Sequence, residues 1–169
     1  MSHPDELLDE AMNLVAEIGE QLRGKGLTVA VAESLTGGKI SAQLAAGENS
    51  AEWFRGGVTA YQSETKFRVL GVDRGPVVTG EAARQLAVGV RELMGAHAAV
   101  AVTGAGGPDP QDGQSVGTVF IGYSSAASEQ AEEHHFDGDP EQVVAETTVA
   151  ALRMLLTGIR GGGSGDGVG

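Results

Sequence analysis

The sequence predicts an α/β fold, namely a three-layer α/β/α sandwich with a mixed, mostly parallel sheet and a late hairpin. Short apolar runs, typical of strands buried on both faces, alternate with stretches whose apolar residues recur at helical spacing. Two strand-like segments then follow each other directly near the end of the chain. We expect a single domain over residues 1–160 and a flexible glycine-rich tail over 161–169.

The first half of the chain alternates helices and strands. An amphipathic helix over 5–23 has apolar residues at steps of three or four, at Leu7, Ala11, Leu14, Ile18 and Leu22. The apolar run 27–32 predicts a buried strand, and the turn Thr36–Gly38 opens a second helix to about residue 46. A strand over 57–61 and a short helix over 63–70 follow.

The second half begins with a longer helix that Thr79 can cap. Its inner face is predicted from the helical spacing of Ala83, Leu86, Val90 and Leu93. The run 98–102 predicts a buried strand, 105–115 an irregular loop, and 116–123 with 129–136 a hairpin. Asp139 and Pro140 start the last helix, whose apolar face contains Val144, Thr148, Leu152 and Leu155.

Composition limits the classes of function. Acidic residues outnumber basic ones by 23 to 11, for a net charge of -12, and such a surface repels nucleic acid. No apolar run approaches the roughly 18 residues of a membrane helix, and the first ten residues are acidic where a signal peptide is basic. The chain has no cysteine, which excludes thiolate metal sites and a cysteine nucleophile. We expect a cytoplasmic enzyme with no nucleic-acid or membrane partner.

Ligands of α/β folds bind at the carboxyl ends of the strands, where the residues after the first strand form the first candidate segment. Ser34 lies on the strand-to-helix turn, and Gly37 and Gly38 free the neighbouring amides to donate to an oxyanion or a phosphate. This arrangement suits a serine nucleophile. The alternative is that Ser34 or Thr36 is only a helix N-cap and that the glycines only permit a tight turn.

Two further candidate segments follow the next two strands. A partly buried Lys66 with a lowered pKa can act as general base for a serine, with Tyr61 relaying or orienting the proton. The alternative is a surface lysine on a helix. In the third segment, Thr103–Pro108, glycine amides can approach a ligand closely, and the alternative is a pocket wall or wide loop.

The remaining polar residues predict no metal site. His134 and His135 are neighbours on a predicted strand, so their rings point to opposite faces of the sheet. Loop aspartates such as Asp109 and Asp112 are common for the hydrogen bonds their side chains make in turns.

Four ordered motifs resemble the CinA C-terminal domain family. They are AESLTGG (32–38), AYQSETK (60–66), TGAGGP (103–108) and VGTVFIG (116–122), and the resemblance extends from about residue 6 to 159. It implies hydrolysis of the carboxamide of nicotinamide mononucleotide to nicotinic acid mononucleotide and ammonia, without a metal or cofactor. Family members commonly assemble as dimers or larger homo-oligomers, so the resemblance implies the same here.

The resemblance also implies roles for individual residues. Ser34 matches the family's nucleophile, and Lys66 and Tyr61 match the groups that activate it. We predict that the nucleotide substrate is bound by the residues of the same motifs: Glu33, Thr36, Gly37, Gly38, Ser63, Thr103, Gly104 and Gly106.

The chain departs from the family pattern at three positions. Ser63 stands where the family usually has asparagine, Gly106 stands for alanine, and Pro140 stands for an arginine suited to a phosphate. The missing arginine favours the alternative of a catalytically weak or inactive nucleotide-binding module that acts through a partner protein. A related amidase acting on another, unphosphorylated amide is the third hypothesis.

Overall fold

Five strands and five α-helices make up residues 2–162, the part of the chain that this computed structural model describes. In chain order they are α1 (Pro4–Leu22), β1 (Val29–Glu33), α2 (Lys39–Ala45), β2 (Phe54–Thr59), α3 (Ser63–Leu70), α4 (Gly80–Met94), β3 (Ala98–Gly104), β4 (Thr118–Ser125), β5 (Glu129–His135) and α5 (Pro140–Gly162). A short 3-10 turn, Ser50–Glu52, lies between α2 and β2.

The strands form one open sheet in the order β2-β1-β3-β4-β5. β1 pairs in parallel with both β2 and β3, whereas β3–β4 and β4–β5 are antiparallel pairs. Four strands therefore run in one direction and β4 opposes them. This confirms the predicted mixed sheet and the predicted hairpin near the end of the chain.

Helices cover both faces of the sheet, as the three-layer prediction requires. One core cluster joins α1, α2 and α5 to the valines of β1 and β3, and the other joins α3 and α4 to their alanines. Because valine and alanine alternate along these strands, one face of the sheet carries the larger valine side chains and the other, called the thin face here, carries the smaller alanines. The small side chains of the thin face let α4 lie close to the sheet.

Two glycines are required by the close packing of α4. A methyl group added at Gly122 of β4 would lie 2.1 Å from the carbonyl oxygen of Ala83, and one at Gly89 would lie 2.1 Å from that of Leu70. Both contacts are with backbone atoms, which cannot rotate away. Any side chain at these two positions would push α4 away from its neighbours.

Several predicted boundaries and one predicted core residue were wrong. Leu93 is 54% exposed, although Ala83, Leu86 and Val90 are buried, and the next residue, Met94, packs against the core in its place. β1 begins at Val29, two residues late, and β2 spans Phe54–Thr59 and ends before Tyr61. The N-cap prediction for α4 was right, since Thr79 Oγ1 accepts a hydrogen bond from the amide of Ala82 at 3.0 Å.

Helix α5 extends through Gly162 and so includes the first two residues of the tail predicted over 161–169, and residues 163–169 lie outside the described residues. Its length and a mean hydropathy of 1.2 would by themselves allow it to cross a membrane. However, 56% of that stretch is buried inside the protein, as in the core helix of a folded domain. The helix packs between β3, β4 and α1, which explains its apolar character.

The order of the strands in the sheet differs from their order along the chain at β1, which lies between β2 and β3. From β1 the chain crosses to β2 on one side, and then crosses back to β3 on the other side. Since these three strands are parallel, their carboxyl ends meet at one edge of the sheet, which is where α/β folds place ligand sites.

Candidate active site

The turn after β1 is held by its own backbone. Gly37 donates to the carbonyl oxygen of Ser34 at 3.0 Å, and Lys39 donates to that of Thr36 at 3.1 Å. Gly37 and Gly38 adopt left-handed backbone conformations, with φ of 59° and 106°, which favour glycine. Within residues 2–162, the amides of Leu35, Thr36 and Gly38 have no hydrogen-bond acceptor. The turn therefore offers several donors to an incoming negative charge.

The carboxylate of Glu33 fixes this turn to the helix that follows it. The side chain is buried, and it accepts hydrogen bonds from Thr36 Oγ1 at 2.7 Å and from the amides of Ile40 and Ser41, both at 2.9 Å. These amides lie in the first turn of α2, whose own N-cap, Gly38, has no side chain to satisfy them. Glu33, predicted to bind substrate, thus caps α2 from the preceding strand.

Ser34 is left with an unused hydroxyl, so the N-cap alternative for this serine and for Thr36 is wrong. Among the described residues, the Ser34 hydroxyl has no hydrogen-bond partner, and no fully buried side-chain polar atom lacks one. The Ser34 oxygen must therefore reach solvent, although the residue is only 7% exposed. This is the arrangement a nucleophile needs: a fixed backbone and an accessible oxygen.

The end of β2 lies directly beside this turn. The amide of Ala60 donates to the carbonyl oxygen of Glu33 at 2.8 Å, which extends the β1–β2 pairing to the residue before Tyr61. The Tyr61 side chain is 70% exposed, and no residue in the described part bonds to its hydroxyl. Lys66 Nζ donates a hydrogen bond to the Tyr61 carbonyl oxygen at 3.4 Å.

Lys66 is buried, which excludes the alternative of a surface lysine. It lies on α3 and is 2% exposed, whereas the other two lysines of the chain, Lys25 and Lys39, are exposed. Burial disfavours the charged ammonium and lowers the pKa of Lys66 below its ordinary value, while the carboxylate of Asp112 acts in the opposite direction. A lysine with a lowered pKa can accept a proton, as the proposed base requires.

The turn after β3 packs against the turn that contains Ser34. A methyl group added at Gly106 would lie 3.4 Å from Cβ of Leu35, so the two turns are in contact. Thr103 is buried, and its hydroxyl donates to the carbonyl oxygen of Val77 at 2.8 Å. At Gly104 a methyl group would lie 2.9 Å from Val119 Cγ2, so this glycine permits strand packing.

The predictions missed Asp112. Its Oδ2 accepts hydrogen bonds from the amides of Val77 and Val78, at 2.8 and 3.1 Å, and it is the carboxylate that acts on Lys66. Its backbone is left-handed, with φ of 51°. An aspartate in a loop rich in glycine and proline carries no signal that distinguishes it from ordinary turn residues.

Ser63 and Pro140 both lie at the start of a helix. Ser63 is the half-buried first residue of α3. Pro140 begins α5, and its Cγ would lie 3.6 Å from a methyl group at Gly107, next to the turn after β3. Asp139 caps α5 through its Oδ1, which accepts a hydrogen bond from the amide of Gln142 at 2.8 Å.

Four cavities of about 230 to 510 Å³ lie away from Ser34, Tyr61 and Lys66, which line none of these four. The largest lies between the hairpin and α5 and is lined by residues such as Tyr123, His134 and Arg153. Within residues 2–162, no group of three His, Asp or Glu residues is placed to hold a metal ion.

Known proteins give this arrangement a family. The model of the CinA C-terminal domain matches residues 11–159. A CinA-like protein of Salinibacter ruber is 38% identical over 155 residues, which cover 86% of this chain and 38% of that protein. A CinA-like protein of Citrifermentans bemidjiense is 40% identical over 146 residues, with 80% and 35% covered. The chain thus spans little more than a third of the length of these curated relatives.

Solved structures agree over almost the whole chain. The competence-damaged protein (CinA) superfamily protein from Enterobacter cloacae superposes with a TM-score of 0.84 at 28% identity, covering 88% of this chain and 92% of that one. The competence/damage inducible protein CihA from Agrobacterium tumefaciens gives 0.83 at 28% identity, with 89% and 96% covered. On the family match, the similar sequences and the shared fold, this chain belongs to the CinA C-terminal domain family.

Proposed function

We propose that this chain is a metal-independent amidohydrolase that deamidates nicotinamide mononucleotide to nicotinic acid mononucleotide and ammonia. One observation supports it above the others: the buried Lys66, whose pKa is lowered, bonds through Nζ to the carbonyl oxygen of Tyr61 just after β2, and this segment pairs with the end of β1 beside the accessible Ser34 hydroxyl. The pairing of a serine with a neutral amine base is a known means of activating a hydroxyl for attack on an amide. The substrate comes from the family resemblance.

The reaction proceeds in two halves. Neutral Lys66 takes the hydroxyl proton of Ser34, directly or through Tyr61, as Ser34 Oγ bonds to the carboxamide carbon. Free amides of the turn, such as that of Thr36, stabilise the resulting oxyanion. The carbon–nitrogen bond then breaks, the Lys66 ammonium returns the proton to the leaving nitrogen, and ammonia departs from an ester on Ser34.

Water completes the reaction. It gives a proton to Lys66 as its oxygen bonds to the ester carbon, and the bond to Ser34 Oγ breaks as that proton returns to the serine. Nicotinic acid mononucleotide leaves as the carboxylic acid and ionises. The sum is one amide and one water converted to one carboxylic acid and one ammonia, with the enzyme restored.

The first test is ammonia release from nicotinamide mononucleotide by the purified chain and three variants. Ser34→Ala is expected to lose activity on the order of 10⁴-fold or more. Lys66→Met, which keeps the buried volume, should lose about 10²- to 10⁴-fold, and Tyr61→Phe about 10²-fold. Lys25→Met, a change at an exposed lysine, is the matched control. Full activity of Ser34→Ala would refute the mechanism.

The second candidate is a nucleotide-binding module without useful catalysis. It is favoured by Pro140 and Asp139, which leave no cation at the start of α5 to meet the phosphate. Binding of the nucleotide without ammonia release by the parent chain would select it. Release from nicotinamide riboside but not from the mononucleotide would instead indicate an amidase for an unphosphorylated amide.

Assembly as a homo-oligomer and a cytoplasmic location are further proposals that follow from the resemblance and the composition. The curated relatives are about three times as long as the matched segment. Any activity of those longer proteins is therefore only proposed for this chain.

A further inference from the structure

Two strands, β2 and β5, lie at the edges of the sheet, and they differ in charge. β5 contains Glu129, Glu132 and Glu133, and like charges on an edge strand oppose its pairing with a further strand. The segment from Trp53 to Tyr61, which contains β2, has no acid, although the chain has a net charge of -12. Its one charged residue is Arg55. β2 is therefore the edge better suited to pairing.

The backbone of β2 is accessible along its outer side. The amide of Ala60 donates to the carbonyl oxygen of Glu33, so the alternate residues Gly57 and Thr59 direct their backbone groups away from β1. A methyl group added at Gly57 would lie 2.6 Å from Ser41 Oγ, which shows that α2 covers this face of the strand. Gly57 is nevertheless exposed, and that exposure belongs to its backbone at the edge of the sheet.

The two ends of β2 carry complementary features. The register between β1 and β2 shifts between Val29 and Ala30, which leaves Arg55 as the extra residue of a bulge. Arg55 is exposed, and within residues 2–162 its guanidinium has no hydrogen-bond or ion-pair partner. Just after the other end, Tyr61 is 70% exposed beside the turn with Ser34. One end thus has an unused cation, and the other has an uncovered group of the proposed site.

We propose that two copies of this chain pair through β2 in antiparallel orientation, and that Arg55 of each copy completes the active site of the other. A two-fold axis perpendicular to the sheet makes the two edge strands antiparallel. With the axis at Val58, Gly57 pairs with Thr59 of the partner subunit. In the same register, Arg55 of the partner subunit lies opposite Tyr61.

The role given to Arg55 rests on the proposed function, in which the substrate carries a phosphate. A guanidinium binds phosphate through two parallel hydrogen bonds, which a lysine cannot reproduce. The start of α5 supplies no cation, since Asp139 caps that helix and Pro140 begins it. The pairing of the two β2 strands, by contrast, does not depend on the reaction.

Sedimentation equilibrium and amide hydrogen exchange test the pairing without any activity measurement. We expect the parent to be a dimer and Thr59→Lys to be a monomer, because a lysine on each edge opposes pairing. Gln130→Lys, on β5, is the matched control and should remain a dimer. In the parent, the amides of Gly57 and Thr59 should exchange slowly, as paired amides do.

These measurements can overturn the pairing in several ways. A monomeric parent, fast exchange at Gly57 and Thr59, or a dimer that persists in folded Thr59→Lys would each do so. If Thr59→Lys does not fold, the exchange of the two amides in the parent decides the question.

Mixing two impaired variants tests the role of Arg55. Arg55→Met should lower kcat/KM for nicotinamide mononucleotide by about 10- to 10²-fold, the effect of losing hydrogen bonds to a charged group. Ser34→Ala should be inactive. A mixed dimer has one site that combines Ser34 of one copy with Arg55 of the other. Random exchange of subunits makes half of the dimers mixed, so the mixture should recover about a quarter of the parent's activity.

The outcomes separate this proposal from the proposed function. If the mixture gives only the mean of the two variants while the parent is active, Arg55 does not act across the interface. If the parent releases no ammonia, the proposed function fails, and with it the role of Arg55 toward the phosphate. The mass and the amide exchange then still decide whether β2 pairs with β2.

Discussion

Two neighbouring strand ends hold the proposed catalytic groups, and they are built differently. After β1, three hydrogen bonds of 2.7 to 2.9 Å to Glu33 fix the turn that contains Ser34. After β2, Tyr61 is largely exposed, and one long hydrogen bond of 3.4 Å joins its carbonyl oxygen to Lys66. Hydrogen bonds therefore fix the position of the proposed nucleophile, whereas burial and nearby charge set the protonation state of the proposed base. Loss of a hydrogen bond should disturb the turn after β1, and a change of pH should alter the charge of Lys66.

The largest effect is expected from breaking the first region with Glu33→Gln. The amide nitrogen of glutamine cannot accept, so at least one of the three donors loses its partner inside the protein. We expect the free energy of unfolding to fall by about 1–3 kcal/mol. Displacement of the turn should also reduce kcat/KM by about 10²-fold. Urea denaturation and ammonia release measure the two effects.

A matched control keeps this prediction specific. Glu52 is exposed and its side chain makes no hydrogen bond in the described part of the chain, so Glu52→Gln makes the same chemical change without breaking a side-chain contact. It should leave both quantities within error of the parent. If Glu33→Gln behaves like Glu52→Gln, the hydrogen bonds to Glu33 do not hold the site.

The second region is tested by the pH dependence of stability. The pKa of Lys66 in the folded protein lies below its ordinary value of 10.5, which also describes the unfolded chain. Between these two values the unfolded state binds more protons, so the contribution of Lys66 to stability rises with pH. Lys66→Met lacks this titration. The stability of the parent relative to Lys66→Met should therefore increase with pH, up to about 10.5.

Lys25→Met supplies the comparison for this series, because Lys25 is exposed. Its stability should run parallel to that of the parent across the same pH range, as followed by urea denaturation at each pH. A constant difference between the parent and Lys66→Met would mean that Lys66 titrates alike in the folded and unfolded states. Burial would then not set its charge.

The sequence was sufficient for the layers of the fold. Helical and strand spacing depend on local pattern, so Leu14 on α1 and Leu86 on α4 were correctly assigned to the core. Glycines after the first and third strands identified the edge of the sheet where the turns meet. Leu93 was misplaced because helical spacing alone does not decide whether Leu93 or its neighbour Met94 packs against the core.

Contacts between distant segments could not be predicted. Glu33 was predicted to touch substrate, but its carboxylate meets amides seven and eight residues further on, because the glycine before α2 leaves them without a cap. Asp112 acts on Lys66 across 46 positions of sequence, through a loop with no regular pattern. A single sequence contains no information on such pairs, because only the folded backbone brings them together.

The smallest effect is expected where the turn after β3 meets the turn with Ser34. Gly106 has no left-handed backbone conformation, and a methyl group there would lie 3.4 Å from Leu35, close to an ordinary contact. Gly106→Ala should therefore change the free energy of unfolding by no more than about 1 kcal/mol, with a gain from reduced freedom of the unfolded chain.

Gly104→Ala is the contrasting variant, since its methyl group would lie 3.0 Å from the backbone oxygen of Thr118 and closer still to Val119. Such overpacking should cost about 1–3 kcal/mol in thermal or urea denaturation. Equal losses of unfolding free energy in the two variants would mean that the turns after β1 and β3 pack more tightly than their separation indicates. The rigidity of the turn with Ser34 would then depend on this contact as well as on Glu33.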